Sequence, residues 1–293
     1  MIPPVRILAA VDFSDTSRTA LTMAARLARQ CQAELHVIHA VDPLLAAGAR
    51  STGVDLVRES REELGTFVGG AFPAADWAPL HHTAEGHGAD VICHVAARER
   101  IDLIVLGAHG MSGLARLAFG STTEAVLRRA PVSVLVVPES WTPPQPDTDA
   151  LRGTGPVVAA VDFSPASLDA ARAGARLAFA LQTSLDLVHV VPARPVLARW
   201  RPHAEAAVLE HLAVARRDLT AAIEHLGVQV PVQVRVESGD VAAQLAEAAA
   251  ATDGRHPLLV MGRRQHSQSG DAPGETAYRA LMLARVPVLL HLP

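Results

Sequence analysis

The chain has 293 residues, 49% of them hydrophobic and 3% aromatic, with a formal net charge of −4. That length suits two domains of ~150 residues each, and a near-neutral balance with no basic block offers no electrostatic footprint for nucleic acid. All 26 Lys+Arg residues are arginine, which excludes any mechanism built on a phosphate-binding or Schiff-base lysine.

Val5–Val11 reads as a continuous apolar strand closing at Asp12. Ser14 is placed to cap the helix that follows, whose apolar face is Ala20, Leu21, Ala24, Ala25, Leu27 and Ala28. The opening apolar run is too short for a signal peptide, and no stretch is long enough to span a bilayer. A cytoplasmic protein with no membrane partner is therefore expected. Glu34–Val41 reads as a second strand, and an irregular, glycine-containing stretch then leads to a polar helix around 54–68. Ala78–Thr83 reads as a third strand, followed by Gly86 and a helix over 89–99. Cys31 and Cys93 are isolated within apolar helical patterns, fit neither a CxxC pair nor a disulfide framework, and read as core filling.

The next stretch, Ile101–Pro138, organises the rest. An apolar fourth strand, Leu103–Leu106, runs into Gly107 and Gly110; nine residues later come Gly120 and Ser121, then a helix over 122–129 and a fifth strand over 132–137. Strand, glycine loop, helix N-terminus and strand is an arrangement that cradles phosphate. Glycine permits close backbone approach and positive φ, and the first N–H groups of the helix point at the anion. Local chemistry leaves an alternative open: Ser121-Thr122-Thr123-Glu124 fits a capping box, with Ser121 merely capping its helix.

Composition then shifts. Glu139–Pro156 is rich in Pro, Thr, Asp and Gly without periodicity and reads as a linker. After it the beginning returns: Val158–Ser164 repeats Leu8–Ser14, an offset of 150 residues from Asp12 to Asp162. The same offset relates Ala24–Ala28 to Gly174–Ala178 and His39 to His189. Ser164-Pro165 is a firm helix start. The expectation is a tandem duplication: residues 1–140 with an intact glycine loop, a linker over 141–154, and residues 155–293 with a degenerate one. Alternating strands and helices in each half imply βαβ units, hence an α/β fold of two tandem, doubly wound, open parallel sheets. Ligands of such sheets bind beyond the carboxyl ends of the strands where strand order reverses, which brings Asp12 and the glycine loop to one crevice.

The Val-Asp-Phe-Ser start of both halves, the histidines at strand two, and above all Gly107-x2-Gly110-x9-Gly120-Ser121 resemble the universal stress protein family in its tandem form. The resemblance covers essentially the whole chain and implies a strand order 3-2-1-4-5, an adenine nucleotide alpha hydrolase-like sheet, whose fifth strand pairs with a partner domain. It implies ATP as ligand: Ala10, Val11 and Asp12 beside the nucleoside, with Asp12 near the ribose or a Mg2+ bridging the phosphates. Ala40 would meet adenine through its backbone. Leu106, Gly107 and Gly110 would flank the ribose and phosphates, with Gly120, Ser121 and Thr122 holding the phosphates. The second half keeps Asp162 and Gly262 but has Gln265 where a second glycine is expected, and Thr276-Ala277 stands in place of the Gly-Ser pair, with Gly274 nearby. Arg263 and Arg264 offer charge there.

Other signals weigh less. His81-His82 and His87 form the densest histidine group, yet adjacent strand residues face opposite ways and no metal-binding spacing is present. His109 and Arg116 lie in the glycine loop as candidate phosphate neighbours or as solvated loop residues. The helix over 199–226 reads as a solvated face. The expectation is an ATP-binding protein of stress response that works by binding, its partners an adenine nucleotide and the pairing of its two domains or a homodimer. A slow ATPase or phosphate-transferring enzyme, and a nucleotide-free interaction module, are the rivals.

Overall fold

The computed structural model describes residues 4–71, 78–110, 119–142, 154–193, 201–250, 256–263 and 274–293. Arg116, Arg264 and Gln265 lie outside them. The chain divides into two compact units, one holding Ile2–Gln145 and the other Pro146–Gln265 with Pro273–Pro293.

The first unit carries β1 (Arg6–Ala10), α1 (Asp15–Cys31), β2 (Glu34–Val41), α2 (Pro43–Ser51), α3 (Leu56–Ala71), β3 (Leu80–Glu85), α4 (Gly88–Arg98), β4 (Leu103–Gly107), α5 (Ser121–Arg129) and β5 (Ser133–Val137). Its strands lie in the order β3-β2-β1-β4-β5, parallel throughout. This is the 3-2-1-4-5 order the resemblance implied. Sheet order reverses between β1 and β4: the chain winds outward through β2 and β3, then crosses back. Right-handed crossovers therefore place α1 and α3 on one face and α4 and α5 on the other. The packing agrees, since α1 lies over β1 and β4 and touches α3, while α4 packs on α5. With both faces covered, β4 and β5 are buried at every residue, as parallel strands require.

The second unit repeats the plan with β6 (Thr154–Ala160), α6 (Pro165–Ala180), β7 (Leu185–Pro192), α7 (Arg201–Leu226), β8 (Val232–Gly239), α8 (Val241–Ala248), β9 (His256–Gly262), α9 (Glu275–Leu283) and β10 (Val288–His291). The order here is β8-β7-β6-β9-β10, again parallel. Helices α1 and α6 press small side chains on their sheets: Ala20, Ala24, Ala25 and Ala28 in one, and Ala170, Ala171, Gly174, Ala175 and Ala178 in the other.

Two expectations are corrected. The stretch after β2, read as irregular, holds α2: Asp42 caps it through bonds from Leu44 and Leu45 N–H, and Pro43 stands at its start. The linker ends earlier than Pro156, because Gly155 and Pro156 belong to β6. A proline has no N–H to give an interior ladder, and the register of β6 against β9 slips between Thr154 and Val157. The irregularity absorbs the missing donor.

Candidate functional site

The site is built on the turn from β1 into α1. Asp12 Oδ1 accepts from the Ser14 N–H at 3.2 Å and the Ser14 hydroxyl at 2.6 Å. Ser14 Oγ accepts from the Ser17 N–H at 3.1 Å, which is the N-cap bond of α1. The Ser17 hydroxyl donates to the Ser14 carbonyl at 2.9 Å, and its oxygen accepts from the Asp12 N–H at 3.3 Å. This closed set of bonds holds Phe13 at a φ of 66°, a left-handed conformation uncommon for a bulky residue. The Phe13 ring lies 4.2 Å from His39 and meets Phe67 edge-on at 5.5 Å, with the Arg18 guanidinium 4.1 Å above Phe67. His39 Nδ1 donates to the Val11 carbonyl at 3.0 Å. That acceptor fixes the Nδ1–H tautomer, and burial pushes the imidazole pKa down, so the ring is a neutral clasp between β1 and β2.

Opposite stands the glycine loop. A side chain at Gly107 would meet Thr16 Cγ2 at 2.7 Å, and one at Gly110 would run into Asp12 Oδ2. The loop thus passes so close to the β1–α1 turn that a Cβ at either position would displace a side chain of that turn. Positive φ, expected from the sequence, is not the reason: Gly107 and Gly110 are not in the left-handed region, and Gly120 has φ −57° and ψ 144°. The capping-box alternative also fails. Gly120, not Ser121, is the N-cap of α5, and a glycine offers no side chain to cap the first-turn N–H groups. The buried Thr123 hydroxyl donates to the Gly107 carbonyl at 2.8 Å and ties the helix start to the end of β4.

Between turn and loop lies a cleft of about 470 Å3. All ten residues named from the sequence line it: Ala10, Val11, Asp12, Ala40, Leu106, Gly107, Gly110, Gly120, Ser121 and Thr122. His109 lines it too, as do Ile38, Asp42, Gly88, Ile92 and Thr123, which sequence reasoning missed. The Asp42-Pro43 pair was a legible helix start that would have placed Asp42 at the rim. Among the described lining residues the carboxylates are Asp12 and Asp42, and no arginine is present.

The second unit repeats the frame. Asp162 Oδ1 accepts from the Ser164 N–H at 3.0 Å and the Ser164 hydroxyl at 2.5 Å, Phe163 has a φ of 61°, and His189 Nδ1 donates to the Val161 carbonyl at 2.8 Å. The alignment of Thr276-Ala277 with Gly120-Ser121 is corrected. Helix α9 has nine residues, like α5, and its N-cap is Gly274 at φ −51° and ψ 151°, so Gly274-Glu275 is the true counterpart.

Elsewhere, Cys31 and Cys93 are half-buried, and burial raises the Cys31 thiol to about 11. Among the described residues no three His, Cys, Asp or Glu side chains are grouped to hold a metal ion, and no helix is long and apolar enough to cross a membrane.

Comparison with known proteins agrees with this architecture. A family model described as the universal stress protein family matches residues 5–138 and again 154–291. A universal stress protein of Methanocaldococcus jannaschii is 34% identical over 139 residues, 45% of this chain and 81% of the relative. One from Mycolicibacterium smegmatis is 28% identical over 225 residues, 71% of this chain and 73% of the relative. The crystal structure of a universal stress protein from Archaeoglobus fulgidus shares the fold with a TM-score of 0.64 at 19% identity, covering 98% of this chain and 97% of that one. Matched in both its halves, the chain belongs to the universal stress protein family.

Proposed function

We propose that the first-half cleft binds ATP and that the protein acts in stress response through that binding rather than through turnover. The observation that carries the reading is the cradle itself. A loop that passes close beside the Asp12 carboxylate leads, through Gly120, into a helix whose glycine N-cap offers its first turn no side chain. Uncapped N–H groups and the helix dipole favour an anion there. The adenine would lie toward Ile38 and Ala40, the ribose beside Val11 and Leu106, and the phosphates along Gly107, Gly110, Gly120, Ser121 and Thr122. Asp12 and Asp42 are negative, so a Mg2+ accompanying the nucleotide would offset repulsion, with Asp12 nearest the phosphates. Catalysis of phosphoryl transfer needs charge stabilisation at the γ-phosphate; Arg116, in the same loop, lies outside the described residues.

Titration of the full chain with ATP, with and without Mg2+, tests the reading against Gly120→Val. A Cβ at Gly120 meets Gly110 N at 3.4 Å, an ordinary contact, so the fold accommodates it while the γ-methyls crowd the phosphates. ATP affinity is expected to fall at least about tenfold, or about 1.4 kcal/mol. Undiminished affinity in a folded Gly120→Val chain overturns the assignment.

The reading extends to assembly. An apolar fifth strand is an edge that needs cover, and pairing of the two halves, or of two copies as a homodimer, would supply it. Residues 1–140 alone are then expected to self-associate or precipitate on size-exclusion chromatography. A soluble, fully stable monomer removes this part of the reading.

A further inference from the structure

The second-half cleft has a volume of about 450 Å3, close to that of the first. Its floor is the same closed turn, Asp162-Phe163-Ser164, with the same histidine clasp. Gly262 ends β9 as Gly107 ends β4, and for the same reason: a Cβ there would stand 2.5 Å from the Ala166 carbonyl oxygen. The frame that shapes a nucleoside-sized space is intact.

The two ends of the cleft have changed, each in its own direction. At the start of α9, Glu275 takes the place of Ser121 and lines the cleft. The glycine N-cap leaves the first turn without a side-chain cap, and a carboxylate in that turn is attracted by the helix dipole. The negative charge at the end where the first cleft would hold phosphate is thus the chain's own. At the other end, polar or minimal groups have become apolar. The Asp42 position is Pro192 and Gly88 is Val241; both matches follow from the strand register, which pairs Val41 with Glu85 and Val191 with Ser238.

We propose that the second cleft is a site for a phosphate-free nucleoside, from which Glu275 excludes nucleotides. A triphosphate brings several negative charges to a place holding a fixed one; Glu275 is exposed at the cleft mouth, and like charges within a Debye length of about 10 Å repel there despite the solvent. A planar base and sugar lose nothing by that charge and gain apolar walls from Val188, Val190, Val241 and Leu245. The choice of a nucleoside over another flat ligand rests on the reading of the first cleft as a nucleotide site.

The test uses the full chain and two probes, ATP and adenosine. Calorimetry is expected to give one ATP per chain, after which the ATP-saturated chain takes up one adenosine. Val241→Trp, which fills the second cleft, should abolish that uptake. Glu275→Gln removes the charge at constant size and should move the ATP stoichiometry from one to two per chain. An ATP-saturated chain that takes up no adenosine overturns the proposal, as does uptake that survives Val241→Trp. Two equivalent ATP sites in the unaltered chain overturn it as well. If ATP binds nowhere, the first-cleft reading fails by itself, and one adenosine per chain, lost in Val241→Trp, still supports the second site.

Discussion

Two histidines carry a chemistry that the cleft does not use. His36, 2% exposed on β2, and His82 on β3 stack with rings 5.1 Å apart and an Nδ1 to Nε2 distance of 2.9 Å. A hydrogen bond between two ring nitrogens needs one donor and one acceptor, so the pair cannot carry a proton on both facing atoms. His36 Nε2 lies 3.4 Å from Glu34 Oε2 without donating a hydrogen bond to it, and Arg6 Nε donates to that same oxygen at 3.1 Å. Arg98 lies 3.4 Å from His82 Nδ1, with Glu99 and His81 nearby. Burial first, and the charge of His36 next, push the His82 pKa down. The unfolded chain therefore binds the proton first, so this contribution to stability is present above pH ~6.5 and is lost as pH falls toward the lower folded value. The second unit has answered the same geometry differently. At the matching register, Asp186 and Arg235 form an ion pair at 2.8 Å. A His36→Asp/His82→Arg chain is expected to lose less stability than the parent between about pH 7.5 and about pH 6. Equal loss of stability in the two chains between those pH values, read from the midpoints of denaturant melts, would show that the pair does not titrate in that range.

Among elements, the start of α5 matters most, because Thr123 alone among its buried side chains binds the end of β4. Thr123→Val keeps the shape and removes the bond; a loss of about 1–2 kcal/mol is expected in urea melts, with Thr123→Ser close to the parent. An unchanged midpoint in Thr123→Val would show that the tie contributes nothing. The elements also show what a sequence discloses. Strand β2 was legible to the residue, because an apolar, β-branched run between turn signals has few alternatives. Helix α2 was not, since it is only nine residues long and Gly48 interrupts its pattern. All ten cleft residues named from the sequence line one cleft; of the two reasons assigned to the glycines, close approach holds and positive φ does not. Contacts between segments nearly a hundred residues apart, such as Gly110 beside Asp12, have no local signature. The exchange of Ser121 for Glu275 was hidden likewise, because only the helix start fixes the alignment.

At the level of the molecule, the two units are one plan used twice, and comparing them separates what the frame requires from what a ligand requires. The strand order, the Asp-Phe-Ser turn with its left-handed phenylalanine, and the histidine clasp recur in both. The cleft rims, the outer-strand pair and the first residue of the α5 and α9 helices do not. The alanine faces of α1 and α6 belong with the first group. At Gly174 a Cβ would stand in ordinary contact, 3.4 Å from Val157 and 3.5 Å from Ala159, so only a side chain larger than alanine there must displace a central strand. Since the day the two copies parted, each has been free to wander in principle. The tightness of helix on sheet left that surface almost no neighbouring sequences to wander into, while the open cleft had many. The duplicate could therefore acquire a new ligand without relearning how to fold, and its history of change is written where the packing is loosest.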